Sequence, residues 1–201
     1  MTTHRRRPKH DPKESEQEIL NAAKQFLNER PFRELTVDEV MRRTGLKRPA
    51  FYVHFRDKHD LALRLVQAIG QELFGIADRW LEGDNPQEDL RRALVGLVEV
   101  YMKHSHVLRA FAEAASGDER VNSIYRAFVQ EFISAAAQHI REEQATGQIQ
   151  KDIDIDETAR ALIWLEERYL SDVFGRMPPA DPEVVIRVLQ NIWISTLYGS
   201  N

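Results

Sequence analysis

Residues 36–61 read Thr36-Val37-Asp38-Glu39-Val40-Met41-Arg42-Arg43-Thr44-Gly45-Leu46-Lys47-Arg48-Pro49-Ala50-Phe51-Tyr52-Val53-His54-Phe55-Arg56-Asp57-Lys58-His59-Asp60-Leu61. Thr36 followed three residues later by Glu39 is the reciprocal pairing that satisfies free amide donors at a helix start, so a helix is expected from Thr36 to about Thr44. Gly45 can take the positive φ that ends such a helix. Pro49 then falls in the first turn of a helix starting at Arg48, where a missing N–H costs nothing. Two short helices joined by a four-residue turn make a helix-turn-helix, whose second helix enters the DNA major groove with its first residues at base edges. Lys47 and Arg48 stand at that end, and an arginine there can donate two bonds to guanine. Tyr52, His54 and Lys58 lie further along, suited to phosphate. Phe51 and Phe55, one turn apart, are expected to point into a core that fixes the angle of this helix.

Toward the N-terminus, Ile19, Leu20, Ala23, Phe26 and Leu27 recur at helical spacing from Glu14 until Pro31 stops them, giving a first helix. Residues 1–13 carry Arg5, Arg6, Arg7, Lys9 and Lys13 with Pro8 and Pro12, and read as a flexible basic arm. Toward the C-terminus, Asp57 caps a fourth helix running to about Gly83, and Asp84-Asn85-Pro86 starts a fifth. Ser105 or its neighbours begin a short sixth helix through Ala115. A long seventh runs from Asp118 to about Thr146 and closes at Gly147. An eighth runs from Asp154 or Asp156 to Gly175, and a ninth from Val184 to Leu197. The expectation is an all-α, nine-helix chain. A helix-turn-helix DNA-binding head would span residues 14–60 and a helical body residues 61–201, the part to which the family resemblance given below assigns ligand binding and dimerisation.

The 201 residues contain no cysteine, which excludes disulfides, thiolate nucleophiles and Cys-ligated zinc. No apolar stretch of signal-peptide or membrane-spanning length occurs, so a cytoplasmic protein is expected, at the nucleoid when bound to DNA. The formal net charge of −4 hides a split: residues 1–64 carry +5 and residues 65–201 carry −9. A basic head on an acidic body points to a polyanionic partner for the head alone.

The run Gly45 to Leu61 resembles the helix-turn-helix signature of the TetR/AcrR family of bacterial regulators. The tail Asn191-Ile192-Trp193-Ile194-Ser195-Thr196-Leu197-Tyr198-Gly199 and the Glu167-Arg168 pair are similar to its ethionamide-resistance-regulator subgroup. The resemblance implies a homodimeric, ligand-responsive repressor on a palindromic operator. The eighth and ninth helices would form the dimer interface, and a pocket for a small hydrophobic or aromatic effector would lie inside the fourth to seventh. It assigns Thr36, Tyr52, His54 and Lys58 to phosphates, and Lys47, Arg48 and Ala50 to the major groove. The family commonly has Ser or Thr where this chain has Lys47, which deprives the third helix of a side-chain cap worth about 1 kcal/mol.

In the body, Tyr101, Phe111, Tyr125, Phe128 and Trp164 are the aromatic candidates for such a pocket. Glu166 matches a position where the subgroup has a ligand-facing asparagine. Turned inward it would favour a cationic or amide-bearing effector; turned outward it belongs to a solvated face. Leu162, Leu165, Tyr169, Leu189 and Trp193 offer apolar surface for a second copy, or fill the protomer's own core. His139, Glu142 and Glu143 have cation-binding spacing, which surface salt-bridging explains more simply. No metal or cofactor site is expected. Activation or ligand-independent regulation would use the same head. A helical enzyme would need converging titratable groups, for which only Glu166, Glu167 and Arg168 are available.

Overall fold

The computed structural model describes residues 11–81, 85–149 and 152–199. Among the described residues all regular structure is helical. The elements are α1 (Pro12–Glu29), a 3-10 turn (Phe32–Glu34), α2 (Val37–Arg42), α3 (Pro49–His54), α4 (Lys58–Leu81), α5 (Pro86–Gly117), α6 (Glu119–Ala145), α7 (Ile155–Gly175) and α8 (Pro182–Leu197). The expected basic arm lies outside the described residues, except that Pro12 and Lys13 belong to α1. Asp11 caps that helix by accepting the Lys13 N–H at 3.0 Å, and Pro12 sits at its first position without penalty.

Among the described residues there are eight α-helices where nine were expected, because the fifth and sixth are one. Leu90, Leu94, Val98, Tyr101, Phe111 and Ala114 keep a buried stripe along the whole of α5. The polar run His104-Ser105-His106 within it is half-buried and contains neither Gly nor Pro to break the backbone. α5 packs against α1, α4, α6, α7, α8 and the 3-10 turn.

Local caps follow the sequence at α2, α6 and α7. The Thr36 hydroxyl accepts the Glu39 N–H at 3.2 Å, while the Glu39 carboxylate turns to Arg42 at 2.8 Å. Gly147 ends α6 with φ of +78°. Gly45 differs from expectation, since its φ is not positive. The turn after α2 is held by Thr44, whose hydroxyl donates to the Met41 carbonyl at 2.8 Å and accepts the Leu46 N–H at 3.2 Å. The Gly45 N–H donates to Glu18 of α1 at 2.6 Å.

In α7 and α8, Leu162, Leu189 and Trp193 are buried in the protomer's own core, at 4%, 0% and 2% exposure, which removes them as surface for a second copy. Leu165 stays exposed and Tyr169 half-buried. His139 and Glu143 are also buried rather than on the surface, 3.4 Å apart, and Glu143 accepts the Tyr198 hydroxyl. Only Glu142 of that trio is exposed, where it takes the Gln138 amide at 2.7 Å.

Head and body are joined by hydrogen bonds as well as by α4. Glu113 of α5 accepts the backbone N–H groups of Phe32 and Arg33, both at 3.1 Å. Arg120 of α6 donates to Asp57 at 2.9 Å and to Asp118 at 2.7 Å, and Asp57 itself caps α4 through the N–H groups of His59 and Asp60. Glu113→Ala strands both amides of the 3-10 turn. It is expected to cost about 1–2 kcal/mol and to speed hydrogen exchange at Phe32 and Arg33, which amide exchange measures directly. Unchanged exchange at both would show that this tie does not form.

Candidate nucleic-acid interface and internal cavity

The first candidate site is built from the inside outward. Phe26, Phe51 and Phe55 are buried in the head core, and the Phe51 and Phe55 rings pack with centroids 5.3 Å apart. Their anchoring sets the rotation of α3, and the remaining positions must then face outward. Lys47 and Arg48 are exposed, as are Tyr52 at 52% and Val53 at 75%.

Arg48 is held by neighbours on both helices of the motif. It pairs with Asp38 of α2 at 3.2 Å, donates to the Tyr52 hydroxyl at 3.1 Å and lies over that ring, 5.9 Å from its centroid. Asp38 and Tyr52 thus hold a planar donor fork at the outer edge of the turn. Lys47 has no carboxylate partner among the described residues. The cap missing at position 47 is replaced by two tight backbone bonds, Ala50 N–H to the Lys47 carbonyl at 2.9 Å and Phe51 N–H to the Arg48 carbonyl at 3.0 Å. Arg48 is the capping residue, with no side-chain cap.

The other sequence-derived head residues are less free. Thr36 is exposed but its hydroxyl is engaged by Glu39, Ala50 is half-buried, and His54 packs beside Phe55 with ring centroids 6.1 Å apart. Lys58 lies 3.5 Å from the Arg33 carbonyl and 4.8 Å over the Phe32 ring. Val53 was missed by sequence reasoning. Phe51 and Phe55 mark the inner face, so a helical projection of α3 gives the signal that would have found it.

The second candidate site lies among α4 to α8. A cavity of about 80 Å³ is lined by Val66 and Leu73 of α4, Leu97, Tyr101, Leu108 and Phe111 of α5, Tyr125, Phe128, Val129 and Phe132 of α6, and Ile163, Glu166, Glu167 and Leu170 of α7. A neighbouring cavity of about 70 Å³ shares Leu73, Leu97, Phe132, Ile163 and Glu166 and reaches Trp193 of α8. Since about 10–15 Å³ is enough for one water-sized group, each takes several.

Tyr101, Phe111, Tyr125 and Phe128 therefore line a common space, but Trp164 does not. It packs edge-on against Tyr125, with centroids 5.9 Å apart, behind the wall. Phe128 is placed by a close approach: a Cβ on Gly70 of α4 would lie 2.8 Å from its ring, so only glycine lets the ring rest there. Phe74 and Phe132 complete the stack, with parallel rings 4.5 Å apart.

The outward alternative for Glu166 is overturned. It lines both cavities, and its Oε2 accepts the Trp193 indole N–H at 2.8 Å. Burial pushes its carboxyl up to about 7, against which the Trp193 bond works only partly. Glu167 beside it accepts the Ser171 hydroxyl at 3.1 Å. Burial, and then the Glu167 and Glu166 carboxylates, hold the Tyr101 hydroxyl well above its ordinary range. Burial and Glu167 do the same for Tyr125, so both phenols stay neutral. No helix is long and apolar enough to cross a membrane among the described residues.

Comparison with known proteins finds relatives of both parts of the chain. Residues 19–65 match the model of the bacterial regulatory proteins of the tetR family, and residues 90–199 match that of the C-terminal domain of the transcriptional regulator EthR. The HTH-type transcriptional regulator EthR of Mycobacterium tuberculosis is 29% identical over 191 residues, covering 91% of this chain and 87% of that protein. The EthR of Mycolicibacterium smegmatis is 27% identical over 197 residues, covering 96% and 90%. Among solved structures, NalD of Pseudomonas aeruginosa, described as the secondary repressor of the MexAB-OprM multidrug efflux pump, superposes with a TM-score of 0.74. It is 18% identical, and the match covers 94% of this chain and 98% of that one. The chain belongs to the TetR family of bacterial transcriptional regulators, with a C-terminal domain of the EthR kind.

Proposed function

We propose that this regulator is a dimeric repressor that leaves a palindromic operator when a small hydrophobic or aromatic effector fills the cavities of its body. The observation that carries the reading is the outer face of α3, where Lys47, without a carboxylate partner among the described residues, and Arg48, held by Asp38 and Tyr52, stand at the end of the helix that a helix-turn-helix inserts into the major groove. Residues 14–60 form the reading head, with Arg48 on guanine and Lys47 and Ala50 in the groove. Val53 presents an apolar surface suited to a thymine methyl. Tyr52, His54, Thr36 and Lys58 hold phosphates, and Lys58 must then leave the Arg33 carbonyl to do so.

Residues 61–201 sense and dimerise. α4 supports the sensing role, because it supplies Val66 and Leu73 to the cavity wall and its first turn is bound to the head through Asp57. An effector that pushes on α4 therefore acts on the element that carries the head. For dimerisation, the uncovered apolar residues of α7 and α8 are Leu165 at 41%, Val184 at 41% and Val188 at 36% exposure, with Tyr169 and Ile192 beside them. A second copy covering these would present two heads to two half-sites of an operator.

Lys47→Ala and Arg48→Ala are each expected to weaken a specific operator by about 1–3 kcal/mol with the melting curve unchanged, measured by fluorescence anisotropy at fixed salt. Full affinity in both variants would sink the assignment of α3. Leu165→Glu with Val188→Glu is expected to yield monomers by light scattering and to lower operator affinity in step. A double variant that remains dimeric would place the interface elsewhere.

A further inference from the structure

We propose that the effector is a lipophilic cation, an amine carried on apolar arms, whose ammonium group pairs with the Glu166 carboxylate where the two cavities meet. The proposal rests on reading the cavities as the effector site and names the chemistry they select.

Charge inside the walls has one sign. Among the described residues Glu166 is the only charged residue lining the second cavity, and the first adds only Glu167. Among the described residues neither lining contains Lys, Arg or His. The two carboxylates are not equivalent, because Glu167 is engaged by Ser171 and Tyr125. Glu166 has one oxygen on the Trp193 indole and, among the described residues, no donor recorded on the other. Glu166 is half-buried, and a carboxylate facing an apolar cavity without a cation is costly, a cost that appears here as a carboxyl pushed up to about 7.

A purely structural role, pinning α8 to α7 through Trp193, needs only a carbonyl oxygen. Glutamine would supply it without a charge to desolvate. The carboxylate is accounted for when a partner from outside brings the opposite charge. An alcohol brings a hydrogen bond but no counter-charge, and an anion would be repelled by both glutamates. Among the described residues the groups facing Glu166 bring no positive charge, and the one further carboxylate, Glu167, is already engaged. α4 contributes the aliphatic Leu73, α5 and α6 the neutral phenols of Tyr101 and Tyr125, α8 the indole of Trp193, and α7 itself Glu167. Cation binding should therefore strengthen as pH rises through the titration of Glu166, because the ionised form is the one that pairs.

The test compares octylammonium chloride with 1-octanol by isothermal titration of the full chain, in the unaltered protein and in Glu166→Gln. The ammonium compound is expected to bind about 30-fold or more tighter than the alcohol. Its affinity should rise between about pH 6 and about pH 8, where the alkylammonium itself stays charged. Glu166→Gln should abolish both the preference and the pH dependence while the alcohol binds as before. Equal affinities in the unaltered protein, a preference that survives Glu166→Gln, or no binding of either compound would overturn the proposal. The ratio and its pH profile in the unaltered protein decide the matter even if the variant folds poorly. Operator affinity measured in parallel separates this inference from the functional reading. Octylammonium bound at Glu166 without operator release leaves the cation site standing and removes its regulatory role.

Discussion

The architecture hangs on the burial of one continuous stripe along α5. At about 1.5 Å per residue its 32 residues span about 48 Å, and they meet every helix of the body as well as α1 and the 3-10 turn of the head. A break at His104-Ser105-His106 would divide that surface. The unbroken helix makes Glu113, near its C-terminal end, a fixed point for the head, while Tyr101 and Phe111 on the same rod face the cavity. Head position and cavity shape are thus referred to a single rigid element.

The reading surface depends on a smaller constraint of the same kind. α3 is only six residues long and would not hold by itself. It is fixed by the burial of Phe51 and of Phe55 just after it in the head core, and by backbone bonds that replace the side-chain cap its sequence lacks. The outer residues inherit their direction from the inner ones. Asp38 of α2 then orders Arg48, so the two helices of the motif cooperate in one side chain.

Much of this was legible because it is local. Thr36 capping, the inward pair Phe51 and Phe55, the stop at Gly147 and the all-helical pattern each depend on residues a few positions apart. What escaped depends on residues far apart. Gly45 reads as a positive-φ stop, yet the turn is held by Thr44 and by Glu18 from another helix. Glu166 sits between apolar neighbours on α7, and only Trp193 on α8 shows that it faces inward. Trp164 has the composition of a cavity residue but packs behind Tyr125. Leu162, Leu189 and Trp193 carry the same apolar signal as Leu165 and Val188. Periodicity does not say which apolar stripe a protomer keeps for itself.

The close approach of Phe128 to Gly70 has a consequence for how such a cavity is sized. The ring occupies the space a Cβ would take on α4, and the Phe74 and Phe132 rings pack edge-on against it. The free space therefore depends as much on an absent methyl group as on the side chains that face it. Relatives that differ only at position 70 would enclose a different free space while keeping every wall residue, a change of shape invisible to any comparison of the linings themselves.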